Sequence, residues 1–433
     1  MLRRFLIASI CCLSVCPSTS FAQDAPLPEA TKTWLDANSV KVATLDMDAP
    51  YDDLMPLGDK LRNVRILILG EESHGDGASF AAKARLVRFL HEQMGFNVLA
   101  FESGFFESDQ ANDLLQQGVP LDSVIASFQQ PVWCMDEVKK AIDYVARSQK
   151  TGQPMWLAGF DNQTRGTASS LRVPSLLNFL DGVVPISDAD RAALLKFGTL
   201  PFVMYKPDQD GCREILPALT RLRVSFDQLR QRLEQRQGVP MTDFYSQALD
   251  NLRALERQTR SWATDVKHYQ AGYPIRDPQM ADNIRWLAEN GYPNEKIICW
   301  CHTGHALRHP ETIEGWIWGQ PTMGTLVKAH FGDAAYELGF CAHHGKYRGM
   351  GRHVNEIHEV NPTPGSLEET FHRYGNALLF VDLRQTGPLA ATLPCGCMFY
   401  MPLRADWSKV LDGMFFTDEM TPSTPTQPGQ NHE

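Results

Sequence analysis

The stretch that decides the fold is Arg65–Gly77, "RILILGEESHGDG". Ile66 to Leu69 are four apolar residues in a row, the pattern of a strand buried on both faces rather than one that alternates between core and water. Directly behind the run come Glu71, Glu72, Ser73, His74 and a glycine. These polar groups stand at the strand's carboxyl end, which is where parallel α/β sheets bind their ligands.

Similar runs recur along the chain: "NVLAFES" (97–103), "PMWLAGFD" (154–161), "KIICWCH" (296–302), "AYELGF" (335–340), "ALLFVDL" (377–383) and "CMFYMPL" (397–403). Between the first two strands, Phe80, Ala84, Val87, Leu90 and Met94 recur at helical spacing, with Lys83, Arg85 and Arg88 off that face. Strand, crossover helix and strand imply a mostly parallel central sheet flanked by helices, an α/β fold. From about Ser187 to Tyr273 the pattern changes. "ILPALTRLRVSFDQLRQRLEQ" (215–235) and "FYSQALDNLRALERQTRSWATDVKHY" (244–269) read as long amphipathic helices joined around "GVPMT", a helical hairpin inserted into the sheet domain. The expected organisation is a signal peptide over 1–22, the first part of the α/β domain over 23–186, a helical insertion over 187–273, the second part over 274–420, and a Pro-, Thr- and Gln-rich disordered tail over 421–433.

The chain has 433 residues, ample for a large core, and a formal charge of −10. Its first 22 residues carry Arg3 and Arg4 and no acid, so the rest carries −12. That balance excludes a nucleic-acid partner, whose phosphates need a basic face. The start "MLRRFLIASICCLSVCPSTSFA" has a basic beginning, a short apolar run and small residues before Gln23, which predicts cleavage after Ala22 and a periplasmic or secreted protein with no stable membrane insertion. Seven cysteines then remain, an odd number. Cys299 and Cys301 lie in a strand-like run and read as buried small hydrophobes. Oligomeric state leaves no signature in the sequence.

Reading the strand ends in turn gives Glu71, Glu72 and His74 after the first, Glu102 at the second, Asp161 at the third, and His302 and His305 after the fourth. Each has an ordinary structural reading: Glu72 and Asp161 as helix caps, the histidines as loop hydrogen-bonders. Those readings explain single residues, whereas four strands delivering carboxylates and imidazoles to one rim points to a site. Such a set supports hydrolysis. A histidine can take the proton of water if a carboxylate orients the ring and stabilises the imidazolium, and Glu71 with His74 fits that description. His302 or His305 could then hydrogen-bond the oxyanion.

With "GEESHG" and "HTGH" in hand, the chain resembles the erythromycin esterase family. "GEESHGDGASFAAKARLVRFLHEQMGFNVLAFE", "RDPQMADNIRWLAE", "IICWCHTGHALRH", "TMGTLVKAHFGDAAYELGF" and "GSLEETFHRYGNALLFVDLR" carry the resemblance in order across most of residues 60–385. It implies a metal-independent hydrolase of an ester or macrolactone, without a cofactor, in which Glu71 and His74 fall on a catalytic Glu-x-x-His and His302 and His305 on a His-x-x-His. By the same resemblance Lys83, Glu102, Trp133, Asp161 and Arg276 are expected around the substrate. Lys83 stands where the family commonly has arginine, and Cys134 and Met135 follow Trp133 where an arginine and an asparagine are expected; both departures bear on substrate. Two other classes use the same residues: a metallohydrolase with Glu71, His74, His302 and His305 as zinc or manganese ligands, and a non-catalytic protein holding a ligand such as an iron or haem species.

Overall fold

A computed structural model of the protein describes residues 26–129, 131–181, 186–198, 228, 231, 243–264, 273–317 and 321–426. The expected signal sequence and the first helix of the expected hairpin (215–235) lie outside these residues, apart from residues 228 and 231.

Among the described residues eleven strands are formed: β1 (Ser39–Lys41), β2 (Ile66–Glu71), β3 (Phe96–Gly104), β4 (Trp156–Asp161), β5 (Lys296–His302), β6 (Ala335–Arg348), β7 (Ile357–Val360), β8 (Leu378–Asp382), β9 (Thr392–Cys395), β10 (Leu403–Asp406) and β11 (Gly413–Met420). Nine make one sheet in the order β1-β8-β11-β6-β2-β5-β3-β4, with β7 paired to β6. From β11 to β4 every pairing is parallel, whereas β8, β1 and β7 run antiparallel to their neighbours. The mostly parallel α/β sheet expected from the apolar runs is therefore the fold.

The opening stretch sits near the middle of this sheet, between β5 and β6. All six residues of β2 are buried. Leu67 and Leu69 enter one apolar cluster with Phe80, Trp133, Trp300 and Phe340, while Ile66 and Ile68 enter another with Val98, Met280 and Ile284. Two cores on opposite faces explain why the run does not alternate, and each fully buried Leu or Ile contributes roughly 1.5–3 kcal/mol. The register pairs Glu71 with His302 across β2 and β5, so the strands' carboxyl ends bring these two residues together.

Three expectations change. Cys397–Met401 forms turns, not a strand: Phe399 and Tyr400 have φ of 50° and 55°, in the left-handed region that strands exclude. The strand in this part of the sheet is β11, which enters between β8 and β6. Helix Gly77–Met94 buries Lys83 and Arg85 as well as its apolar face; Arg85 is held by both oxygens of Asp53 at 2.7 and 2.8 Å. Finally, the tail does not begin at Thr421. Residues 421–426 form a strap whose backbone joins two loops: Gly77 N donates to Thr421 O and Ser423 N to Gly75 O, while Asp136 N donates to Thr424 O and Thr426 N to Cys134 O. The second hairpin helix is present as Phe244–Thr264. It docks on the sheet domain through Phe244, whose ring stacks on Phe105, and through Asn251, which bonds Asn283 in both directions. Cys299 and Cys301 are buried and free, as small hydrophobes.

Candidate active site

Glu71 ends β2 with no exposure to solvent. A buried carboxylate is costly unless its oxygens are hydrogen-bonded and its charge is met. Both conditions hold. The ammonium of Lys83 donates to Oε2, the indole N–H of Trp133 to Oε1 at 2.9 Å, and Nδ1 of His74 to Oε1 at 2.9 Å. Lys83 is itself fully buried, also donates to the carbonyls of Leu69 (2.7 Å) and Cys301 (3.1 Å), and lies over the rings of Trp300 and Phe340. It and Trp133 were expected around the substrate; burial and orientation instead turn both toward Glu71.

His74 is the exposed member of this group, with 16 % of its side chain open to solvent. Since Nδ1–H is held by Glu71, the lone pair of Nε2 is available on the ring's other edge. The turn carrying it is tightly constrained. A Cβ at Gly75 would lie 1.7 Å from the Arg348 carbonyl oxygen, and one at Gly77 would lie 2.6 Å from that of Pro422. The two glycines in "SHGDG" are thus spaces for passing backbone. Asp76 between them accepts from Ser73 N at 2.5 Å and from the Tyr400 hydroxyl at 2.7 Å.

His302 packs 5.2 Å, centroid to centroid, from His74 and stacks on Phe399. It caps the short helix Thr303–Ala306: Gly304 N donates to Nδ1 at 3.0 Å, which leaves the proton on Nε2, 3.1 Å from the Glu72 carbonyl. Burial, with the neighbouring His74, holds its pKa well below the ordinary histidine value, so the ring is neutral. Glu72 is pushed the other way, up to about 7, by burial. Ser79 donates to one of its oxygens at 2.8 Å.

The remaining expected residues form a second buried cluster. Arg276 donates to both oxygens of Asp161 (3.1 and 2.7 Å) and to Glu102 at 2.6 Å. Glu102 accepts from His302 N at 3.0 Å, which ties the two clusters together. His305 donates Nδ1–H to Asp277 at 3.0 Å, and its Nε2 stands 3.3 Å from Glu102. Burial and the Arg276 guanidinium, whose Nη1 stands 2.8 Å from Nε2, oppose a charge on His305, but Asp277 and Glu102 outweigh them and raise the pKa to about 10. Glu102 is correspondingly held well below the carboxylate range: burial acts to raise it, and the charges of His305 and Arg276 overcome that.

Nine of the ten residues singled out from the sequence therefore lie in two adjoining networks, with a division of labour the sequence did not show; the Glu72 carboxylate is held by Ser79 instead. His302 has both nitrogens committed and His305 is 3 % exposed between carboxylates, so neither has the free donor an oxyanion would need. Arg276, Asp161 and Glu102 are likewise buried and turned toward one another. Asp277 was missed, although it stands next to Arg276 in "RDPQM"; its Oδ2 also accepts from Met323 N at 2.9 Å. Nothing in its local pattern separates it from a surface acid.

The profile of the erythromycin esterase family matches residues 91–401, well over half the chain, a span that includes His302 and His305 and begins after the Glu71–His74 turn. The chain is 26 % identical over 450 residues to the YbfO protein of Bacillus subtilis (strain 168), provisionally named a hydrolase, covering 98 % of each chain. It is 22 % identical over 404 residues to erythromycin esterase type II of Escherichia coli, covering 88 % of this chain and 96 % of that one. Among solved structures, a succinoglycan biosynthesis protein superposes with a TM-score of 0.76 at 14 % identity, over 92 % of this chain and 98 % of the other. A histidine-to-asparagine mutant of an erythromycin esterase, in its open conformation, superposes with a TM-score of 0.65 at 14 % identity, over 88 % and 98 %. The chain thus belongs to the erythromycin esterase family and is a hydrolase of that type.

Proposed function

We propose that the protein cleaves an ester or lactone with a water molecule activated by His74. Nε2 of His74 takes the water proton as the oxygen attacks the carbonyl carbon, and Glu71 stabilises the imidazolium that forms. The proton then passes from His74 to the departing alkoxide as the tetrahedral intermediate collapses. Lys83 and Trp133 act through Glu71 by pairing with its oxygens and holding it in line, while His302, Glu102, Arg276, Asp161, His305 and Asp277 brace the adjoining strand ends.

The observation that carries this reading is the asymmetry of the Glu71–His74 pair: a carboxylate sealed from water by three donors, holding by Nδ1 an imidazole that keeps 16 % of its side chain exposed. The same donors weigh against a metallohydrolase. A cation bound to Glu71 would meet the buried ammonium of Lys83, and both nitrogens of His302 already serve other partners. Among the described residues, neither group of donors close enough to surround one ion includes Glu71, His74, His302 or His305.

The test is turnover of purified protein and of His74→Ala on simple esters, lactones and a macrolide, with and without chelator. The expected loss in His74→Ala is roughly 10²–10⁴-fold, the usual worth of a positioned acid–base group, with chelation of the wild type harmless. Near-full activity of His74→Ala would end the proposal. Loss on chelation, restored by zinc or manganese, would make His74 a ligand instead.

A further inference from the structure

A second cluster of imidazoles lies on residues that play no part in the Glu71–His74 network. His343 and His344 are consecutive in β6, Asp418 is in β11, and His372 is on helix Leu367–Tyr374. The Nδ1 atoms of His343 and His344 lie 3.9 and 4.0 Å from Oδ1 of Asp418. One donor atom from each of these three residues lies within 4.8 Å of the other two. His372 donates from Nδ1 to the same carboxylate oxygen at 2.6 Å and stacks on His343 with centroids 3.9 Å apart.

The arrangement is unexplained as a set of protein hydrogen bonds. His343 is nine-tenths buried, and its Nδ1 is a buried atom with no hydrogen-bond partner, aimed at a carboxylate too distant to accept from it. A buried polar atom left in that state costs about 1–3 kcal/mol, which a ligand between His343 and Asp418 would recover. Two imidazoles and one carboxylate are the donor set that borderline divalent cations favour. A cation bonded at roughly 2.0–2.1 Å to each donor needs the donors somewhat over 3 Å apart, so the two Nδ1 atoms, 3.9 and 4.0 Å from Oδ1 of Asp418, each have to close on it by less than about 1 Å.

We propose that His343, His344 and Asp418 form a three-ligand site for a divalent first-row transition cation, with Zn²⁺ as its simplest occupant. His372 orients the carboxylate by holding Oδ1, the supporting contact that ligating carboxylates ordinarily have. Water fills the fourth position, because His344, Asp418 and His372 are partly open to solvent. The ion would tie β6 to β11; His372 would link helix Leu367–Tyr374 to it.

The test is calorimetric titration of Zn²⁺ into chelator-treated, dialysed protein, paired with absorbance spectra of the Co²⁺-loaded form. The wild type should bind one equivalent, more weakly at acid pH as the imidazoles protonate. Removing a group that only orients a ligand costs roughly 10–100-fold in affinity, which is the loss expected for His372→Gln. His344→Ala, a change at a half-exposed position, should abolish the event, as should His343→Ala, with ester hydrolysis unchanged in all three. Absence of Zn²⁺ binding by the wild type would overturn the proposal. So would binding that survives His344→Ala and His343→Ala. A thiolate-to-cobalt charge-transfer band would overturn it as well and move the ion to the buried Cys341, Cys395 and Glu368 group, whose donors also converge.

Discussion

Replacing Lys83 by methionine removes the charge opposite Glu71 while keeping most of the side chain's length and apolar contact. Lys83 and Glu71 are both fully excluded from water, and the ammonium's other acceptors are the carbonyls of Leu69 and Cys301. Breaking one side of such a pair leaves an uncompensated buried charge and costs about 3–5 kcal/mol. Lys83→Met should therefore lose about that much by urea denaturation at pH 7, and Glu71→Gln a similar amount, because it strands the ammonium. The double variant buries neither charge and should be more stable than either single one, giving a coupling energy of about 2–3 kcal/mol. Turnover should behave differently. Glu71→Gln and the double variant lack the carboxylate that stabilises protonated His74, so restored stability should bring no restored activity. A Lys83→Met protein within about 1 kcal/mol of wild type, or a coupling energy near zero, would refute the reasoning. So would full turnover by the double variant.

His305 predicts a pH effect. Its pKa of about 10 in the folded protein stands above the 6.5 of an unperturbed histidine, so its stabilisation is complete below about pH 6.5 and declines by about 1.4 kcal/mol per pH unit as pH rises toward 10. His305→Gln should be less stable than wild type at pH 6 and should lack that decline; parallel pH profiles of urea midpoint in the two proteins would contradict it. Deleting the chain after Met420 removes the strap that bonds Gly75 and Gly77. Because a displacement of about 1 Å can cost about 10²-fold in rate, kcat should fall by a comparable factor while the far-ultraviolet circular dichroism stays that of the intact protein, and hydrogen exchange at residues 72–78 should quicken. Unchanged kcat would show that the turn holds itself.

What could be read from the sequence was set by local pattern. Continuous apolar runs identify doubly covered strands, and the residues that follow them are placed at one rim by topology alone, which is why Glu71, His74, Glu102, Asp161 and His302 were found. Partnership was not legible. Helical spacing puts Lys83 on the polar side of its helix, and only the position of Glu71 on the neighbouring strand explains why that side is buried. Cys397–Met401 has the composition of a strand, but nothing in it announces the left-handed backbone at Phe399 and Tyr400 that carries the chain past His302 and Asp76. Asp277 gained its role from His305, 28 residues away in sequence and 3.0 Å away in space.

The place of β11 in the sheet also fixes when the protein can fold. Strands β6 and β8 are made before β11, yet neither pairs with the other; each waits for the strand that enters between them. During synthesis at about 5–20 residues per second, the half of the sheet beginning at β6 therefore has an unfilled slot until residue 420 has emerged, and the clamp on the His74 turn comes later still. A nascent chain of this topology keeps its sheet open until β11 is made, so the geometry of the His74 turn is set only after the sheet has closed.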